Sequence, residues 1–139
     1  MKTGILSIII LLYGNSSLIA QDFPKYQSLD PYYFHLRYIT DSNSILIDVR
    51  EFFEYRHARI RDAVNVPTSG KFDLIADTMD KKASLFLYCY NDYRSRIAAE
   101  FFIGKGFRNV FNLEGGIVQW RRDKMPVVKG RIKKKHKKI

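Results

Sequence analysis

Ser84-Leu85-Phe86-Leu87-Tyr88-Cys89-Tyr90-Asn91-Asp92-Tyr93-Arg94-Ser95 is the stretch on which the reading of this chain turns. Its first five residues carry no charge and are mostly apolar, the form of a short strand buried on both faces of a parallel sheet. That strand delivers the chain directly into Cys89. Six residues on, Ser95 opens a helix over 95–105, with Ile97, Ala98, Phe101 and Phe102 on one face and Gly106 as its stop. A loop of this length between strand and helix can curl with its backbone N–H groups inward as an anion-binding nest, and the helix N-terminus adds positive potential. Such surroundings lower a cysteine pKa and make the sulfur nucleophilic. Arg94 offers a charge-assisted contact to an incoming oxyanion. Read without its loop, the same Cys89 is a buried core residue, because free cysteine is among the most buried residue types.

Outward from this centre the same patterning repeats. Residues 44–49 (Ser-Ile-Leu-Ile-Asp-Val) form a second buried strand with Asp48 at its C-terminal end, 63–66 a third stopped by Pro67, and 109–113 a fourth. Between them the spacing predicts a helix starting at Pro31 with Asp30 as its cap, and a short one over 51–57. Another follows a Ser69 cap with Phe72, Ile75, Ala76 and Met79 on its buried side, and a last one covers 117–122 around Trp120 after a Gly115-Gly116 turn. Residues 22–28 read as a short lead. Strand and helix in alternation argue for an α/β fold, a parallel sheet with helices on both faces. Ligands bind at the carboxyl ends of strands in such sheets, which is where Cys89 and Asp48 stand. Arg50 either pairs with an acid or contributes to the site.

The length of 139 residues suits one domain. The 46% hydrophobic and 27% charged residues exclude disorder throughout. Residues 1–20 have the layout of a secretory signal: Lys2, an apolar run over 4–13, then small and polar residues ending at Ala20, after which cleavage is expected. The run is too short for a permanent span, which takes about 20 apolar residues. No cysteine lies beside the cleavage position, which excludes a lipoprotein anchor. The expectation is an exported, periplasmic or extracellular, domain over 28–128. The net charge is +10, but seven of the basic residues fall in 129–139, a tail with no acid. That tail reads as disordered and as either a solvated solubility aid or an attraction to an anionic membrane surface or polyanion; no specific nucleic acid is expected. One cysteine in an exported chain makes no internal disulfide.

Four pieces at consistent spacing together resemble the rhodanese family: Ile47-Asp48-Val49-Arg50-Glu51, then Ile60 with Ala63-Val64-Asn65-Val66-Pro67, the Cys89 loop ending in Arg94-Ser95, and Leu113-Glu114-Gly115-Gly116-Ile117 with Trp120 and Met125-Pro126-Val127. The likeness spans 28–128. It implies the rhodanese α/β fold, with a parallel sheet of about five strands. It also implies a sulfurtransferase in which Cys89 takes sulfane sulfur from a small donor of thiosulfate or polysulfide type, holds it as a persulfide and passes it to a thiol or cyanide. The loop residues Tyr90, Asn91, Asp92, Tyr93, Arg94 and Ser95 then bind substrate, with Asp48 and Arg50 in support, and neither metal nor organic cofactor is needed. The six-residue loop from Cys89 to Arg94 suits one sulfur atom, whereas related phosphatase domains have a loop one residue longer.

The chain departs from that family in two places. Asp92 stands where glycine is common, at a position expected to need a left-handed backbone, which Asp tolerates better than most residues. Its charge is expected close to the sulfur, where it raises the thiol pKa and repels thiosulfate. Arg59-Ile60-Arg61-Asp62-Ala63 replaces the usual His-Ile-Pro-Gly-Ala, which makes His57 a surface helix residue rather than a catalytic base. The other reading these departures leave open is a catalytically weak or inactive rhodanese-like module that binds a partner in the cell envelope.

Overall fold

A computed structural model of the chain describes residues 26–68, 70 and 72–130. The apolar segment over 1–20, the cap proposed at Ser69 and residues 131–139 of the basic tail lie outside the described residues, whereas Lys129, read as the start of that disordered tail, instead pairs with Ala58 in a strand. Five strands form one parallel sheet: β1 (Gln27–Leu29), β2 (Ser44–Asp48), β4 (Val64–Asn65), β5 (Ser84–Tyr88) and β6 (Asn109–Leu113), in the order β1-β6-β5-β2-β4. A separate antiparallel pair joins β3 (Ala58–Arg59) to β7 (Val128–Lys129). The helices are α1 (Pro31–Thr40), α2 (Phe52–His57), α3 (Phe72–Thr78), α4 (Tyr93–Gly104) and α5 (Gly116–Arg122).

Side chains of a strand alternate between faces, and the central strands show why both faces are covered. Leu85 and Leu87 of β5 and Ile47 of β2 pack with Ala76, Ala98, Ala99, Phe102 and Phe107, the α3–α4 side. Phe86 and Tyr88, with Leu46, Phe111 and Leu113, pack with Phe34, Tyr55, Ile117 and Trp120, the α1, α2 and α5 side. Since β5 is buried along its whole length, it is the centre of the molecule, and the residue leaving its C-terminal end is held as firmly as any. Among the described residues no helix is long and apolar enough to cross a membrane.

Several boundaries differ from the sequence reading. Residues 27 and 28, expected as the end of a lead, join Leu29 in pairing with β6 as an edge strand, Gln27 opposite Phe111 and Leu29 opposite Leu113. Helix α4 starts at Tyr93 rather than Ser95, because Asp92 already takes the reversed conformation that turns the chain into the helix. Glu51 caps α2 instead of belonging to it, in a reciprocal capping box with Glu54. Gly116 is the first residue of α5 rather than part of the turn before it. At the start of α1 the Asp30 carboxylate accepts from the Tyr33 N–H at 3.0 Å, with Pro31 following, as the sequence leads one to expect.

Candidate active site

Cys89 leaves β5 fully buried, and the chain from Tyr90 to Arg94 curls beside it before α4 carries it away. The curl is held from outside by α5. The Ile117 N–H donates to the Cys89 carbonyl at 2.9 Å and the Val118 N–H to the Tyr90 carbonyl at 3.1 Å. Every described peptide bond is trans, so the amides of Tyr90 and Asn91 point away from those carbonyls, to the inner side of the curl. The Asp92 carbonyl is taken by the Arg96 N–H at 3.0 Å and lies 3.0 Å from the Ser95 hydroxyl, which turns the Tyr93 amide the same way. Among the described residues no acceptor takes the N–H of Tyr90, Asn91, Asp92 or Tyr93. These amides and the start of a twelve-residue helix are donors waiting for an anion.

Gly116 makes this packing possible. At φ +60° a Cβ there would sit 2.5 Å from the Tyr90 carbonyl oxygen and 2.7 Å from the Asn91 nitrogen, so only glycine lets α5 approach the loop. Asp92 has φ 73°, the left-handed conformation expected of it. Its carboxylate accepts from the Gly115 N–H at 3.0 Å, so the charge that the sequence places near the sulfur is tied to the turn before α5.

Buried polar side chains line the floor. The Ser95 hydroxyl lies 3.5 Å from the Cys89 sulfur and 2.7 Å from Asn112 Oδ1, and Asn112 Nδ2 donates to the Ser28 hydroxyl at 3.1 Å. Ser95 has one proton to give. It either donates to Asn112 and accepts from the Cys89 thiol, or turns the proton to the sulfur when a thiolate forms. Asn112 and Ser28 were not among the residues singled out from sequence. Asn112 is recognisable only as a polar residue inside an otherwise buried strand, and Ser28 sits on the edge strand that sequence reading passed over.

Arg94 forms a two-pronged ion pair with Glu54 of α2, at 2.9 and 3.0 Å. Hydrogen bonding to Glu54 raises the Arg94 pKa against the opposing effect of burial, and the adjoining Cys89 side chain raises it further. Burial alone would raise the Glu54 carboxyl, but its bonds from Arg94 and from the Glu51 N–H hold it below the ordinary value. The guanidinium that the sequence offers to an incoming oxyanion is thus already paired with an acid forty residues away.

Asp48 and Arg50 stand one layer behind. Asp48 is fully buried and accepts from the Arg50 Nε and from its backbone N–H, while Arg50 Nη2 bridges Asp48 at 2.6 Å and the Ala58 carbonyl at 2.6 Å. Burial, followed by the neighbouring Asp48 carboxylate, pushes the Tyr88 phenol far up, so its proton stays on; its oxygen accepts from the Ile60 N–H at 3.1 Å. The pair thus fastens the end of β2 to β3 and to the residue preceding Cys89. Arg59 lies over the Tyr55 ring and donates to the Gly130 carbonyl, so it belongs to the β3–β7 corner, and Asp62, at φ 65°, keeps the reversed turn there. His57 is exposed. Among the described residues no cluster of His, Cys, Asp and Glu is arranged to hold a metal ion.

A cysteine at the carboxyl end of a central parallel strand, inside a loop of unbonded amides, defines a class of α/β protein with a thiol-centred anion cradle. The model for the rhodanese-like domain matches residues 34–123, and the chain belongs to that family. A tRNA uridine(34) hydroxylase from Yersinia enterocolitica is 29% identical over 89 residues, which are 60% of this chain and 25% of that protein. Its counterpart from Hamiltonella defensa is 29% identical over the same shares. The chain thus spans about a quarter of the length of the curated relatives it matches. Among solved structures, a rhodanese-related protein from Thermoplasma volcanium is 27% identical, with a TM-score of 0.65 over 74% of this chain and 98% of its own. A thiosulfate sulfurtransferase from Pseudomonas aeruginosa shares the fold at 21% identity and a TM-score of 0.67, over 78% of this chain and 21% of that one.

Proposed function

We propose that the protein is a sulfurtransferase that carries sulfane sulfur on Cys89. The observation that carries the reading is the set of unbonded amides from Tyr90 to Tyr93 around a cysteine whose sulfur lies 3.5 Å from the Ser95 hydroxyl. The Cys89 thiolate attacks the outer sulfur of a donor such as thiosulfate or a polysulfide. The donor's S–S bond breaks, its electron pair leaves with the remainder of the donor, and a persulfide rests among the loop amides. A thiol or cyanide then attacks the outer sulfur and returns Cys89 to the thiolate, which makes the kinetics ping-pong. Asp48 and Arg50 act by fixing the strand end. The signal-like layout of residues 1–20 supports an exported location for this chemistry, and the run of basic residues at the C-terminal end supports contact with an anionic surface.

A second reading, a binding module without turnover, is favoured by the complete burial of Cys89 and by the exposed rings of Phe53, Tyr90 and Tyr93 near the loop. Intact mass measurement of the protein after thiosulfate and after polysulfide decides between them. A gain of one sulfur atom that cyanide removes, absent from Cys89→Ser, supports the transferase. No adduct from either donor leaves the binding module.

A further inference from the structure

Between α2 and α5, against the Arg94–Glu54 pair and Tyr90, lies a cavity of about 510 Å³. That is room for a small organic molecule and far more than one sulfur atom needs. Its wall is mainly apolar, from Phe53, Ala58, Tyr90, Ile117 and Val118. Two of the charged groups on it are spent: Arg50 on Asp48 and the Ala58 carbonyl, Glu54 on Arg94. The side chains of His57 and Arg121, also on the wall, make no hydrogen bond or ion pair among the described residues. Arg94 is taken by Glu54, so the uncommitted positive charge at the mouth belongs to Arg121. An anionic group recognised here therefore sits in the groove, apart from the sulfur.

We propose that this groove binds the sulfur acceptor and selects a small thiol with an aliphatic body and a carboxylate, the body against Val118 and Ile117 and the carboxylate on Arg121. This rests on the sulfurtransferase reading of Cys89. The acceptor thiol loses its proton to solvent, and its thiolate attacks the outer sulfur of the Cys89 persulfide. A new S–S bond forms, the bond to Cys89 breaks with its electron pair returning to the Cys89 sulfur, and the acceptor leaves as an organic persulfide. His57 supplies a second N–H donor on the same wall. Arg122, in the same last turn of α5 and exposed but not on the cavity wall, is the control for general charge at that helix end.

The test loads Cys89 of the full chain with polysulfide and follows loss of the extra sulfur to mercaptohexanoate and to mercaptohexanol, which differ only in the carboxylate. The expected result is a kcat/KM about tenfold higher for the carboxylate, the size of one charge-assisted contact, expressed in KM. Arg121→Gln removes the preference and Arg122→Gln keeps it. Equal rates for the two thiols, or a preference that survives Arg121→Gln, overturn the proposal. Failure of Cys89 to load counts against the transferase reading instead, and the groove is then decided by titrating Cys89→Ser protein with hexanoate. Saturable NMR shifts at the Ile117 and Val118 methyls that Arg121→Gln abolishes support it, and their absence overturns it.

Discussion

Replacing Asp92 by glycine, the residue its backbone conformation favours, should weaken the protein rather than relieve it. At φ 73° the reversed backbone costs an L-residue about 1 kcal/mol, which glycine recovers. Against this stand two losses. The bond from the Gly115 N–H to the half-buried Asp92 carboxylate contributes about 1.5 kcal/mol, the low end for a charged acceptor. Glycine also widens the unfolded ensemble, by about 0.7 kcal/mol. The balance is a destabilisation of about 1 kcal/mol, a fall in Tm of about 4–8 °C for a domain of this size. Asp92→Asn keeps both the tolerance of the reversed backbone and an acceptor for Gly115, losing only charge, so it should fall between the two. Thermal unfolding of the three proteins followed by circular dichroism reads the order. An Asp92→Gly protein melting at or above the parent would refute the reasoning, because it would make the carboxylate's bond to the α5 turn worth less than the strain it accompanies.

Losing the same charge should raise persulfide formation from thiosulfate in Asp92→Asn by about threefold over the parent, since the like charge beside the cradle is worth about 1 kcal/mol or less through solvent. Sulfur loading rates of the two proteins check it, and an unchanged rate counts against any field of Asp92 at the sulfur. Arg50→Met leaves Asp48 buried without its partner and should cost about 3–5 kcal/mol in urea unfolding; a loss under about 1 kcal/mol would mean Asp48 is held by other groups. Gly116→Ala drives a methyl into the Tyr90–Asn91 peptide and should abolish sulfur loading, whereas Gly104→Ala, with open space around it, should not. Glu54 has a depressed folded pKa, so its stabilisation is complete above its ordinary value of 4.5 and is lost as pH falls through the lower folded value. In Glu54→Gln the acid limb of the stability–pH curve should therefore be flatter; an identical limb would remove the Arg94 pair as its cause.

The strands at the centre were legible because β2, β5 and β6 are short apolar runs with no helical alternative, and their order of appearance with the helices dictates a parallel sheet. Cys89 was legible for the same reason: a strong strand ends on it. Gln27–Leu29 was not, since three residues, two of them polar, carry no periodicity and form a strand only because β6 offers an open edge. Nor does any local pattern announce the Arg94–Glu54 pair, which joins residues forty apart, or the fate of the Asp92 carboxylate, which depends on the position of the turn before α5. The reversed backbone at Asp92 could be foreseen and its partner could not, because the first is a property of one residue and the second of two distant loops meeting.

The way α5 grips the Cys89 loop by its carbonyls separates architecture from preference. What shapes the cradle is main chain, which every sequence possesses, and the exposed side chains of Tyr90, Asn91 and Tyr93 have no hydrogen-bonding part in holding it. Those three positions are open to substitution without dismantling the pocket beneath them. A lineage, or an experimenter, can retune which molecules approach the sulfur while the apparatus that stabilises charge on it is inherited intact.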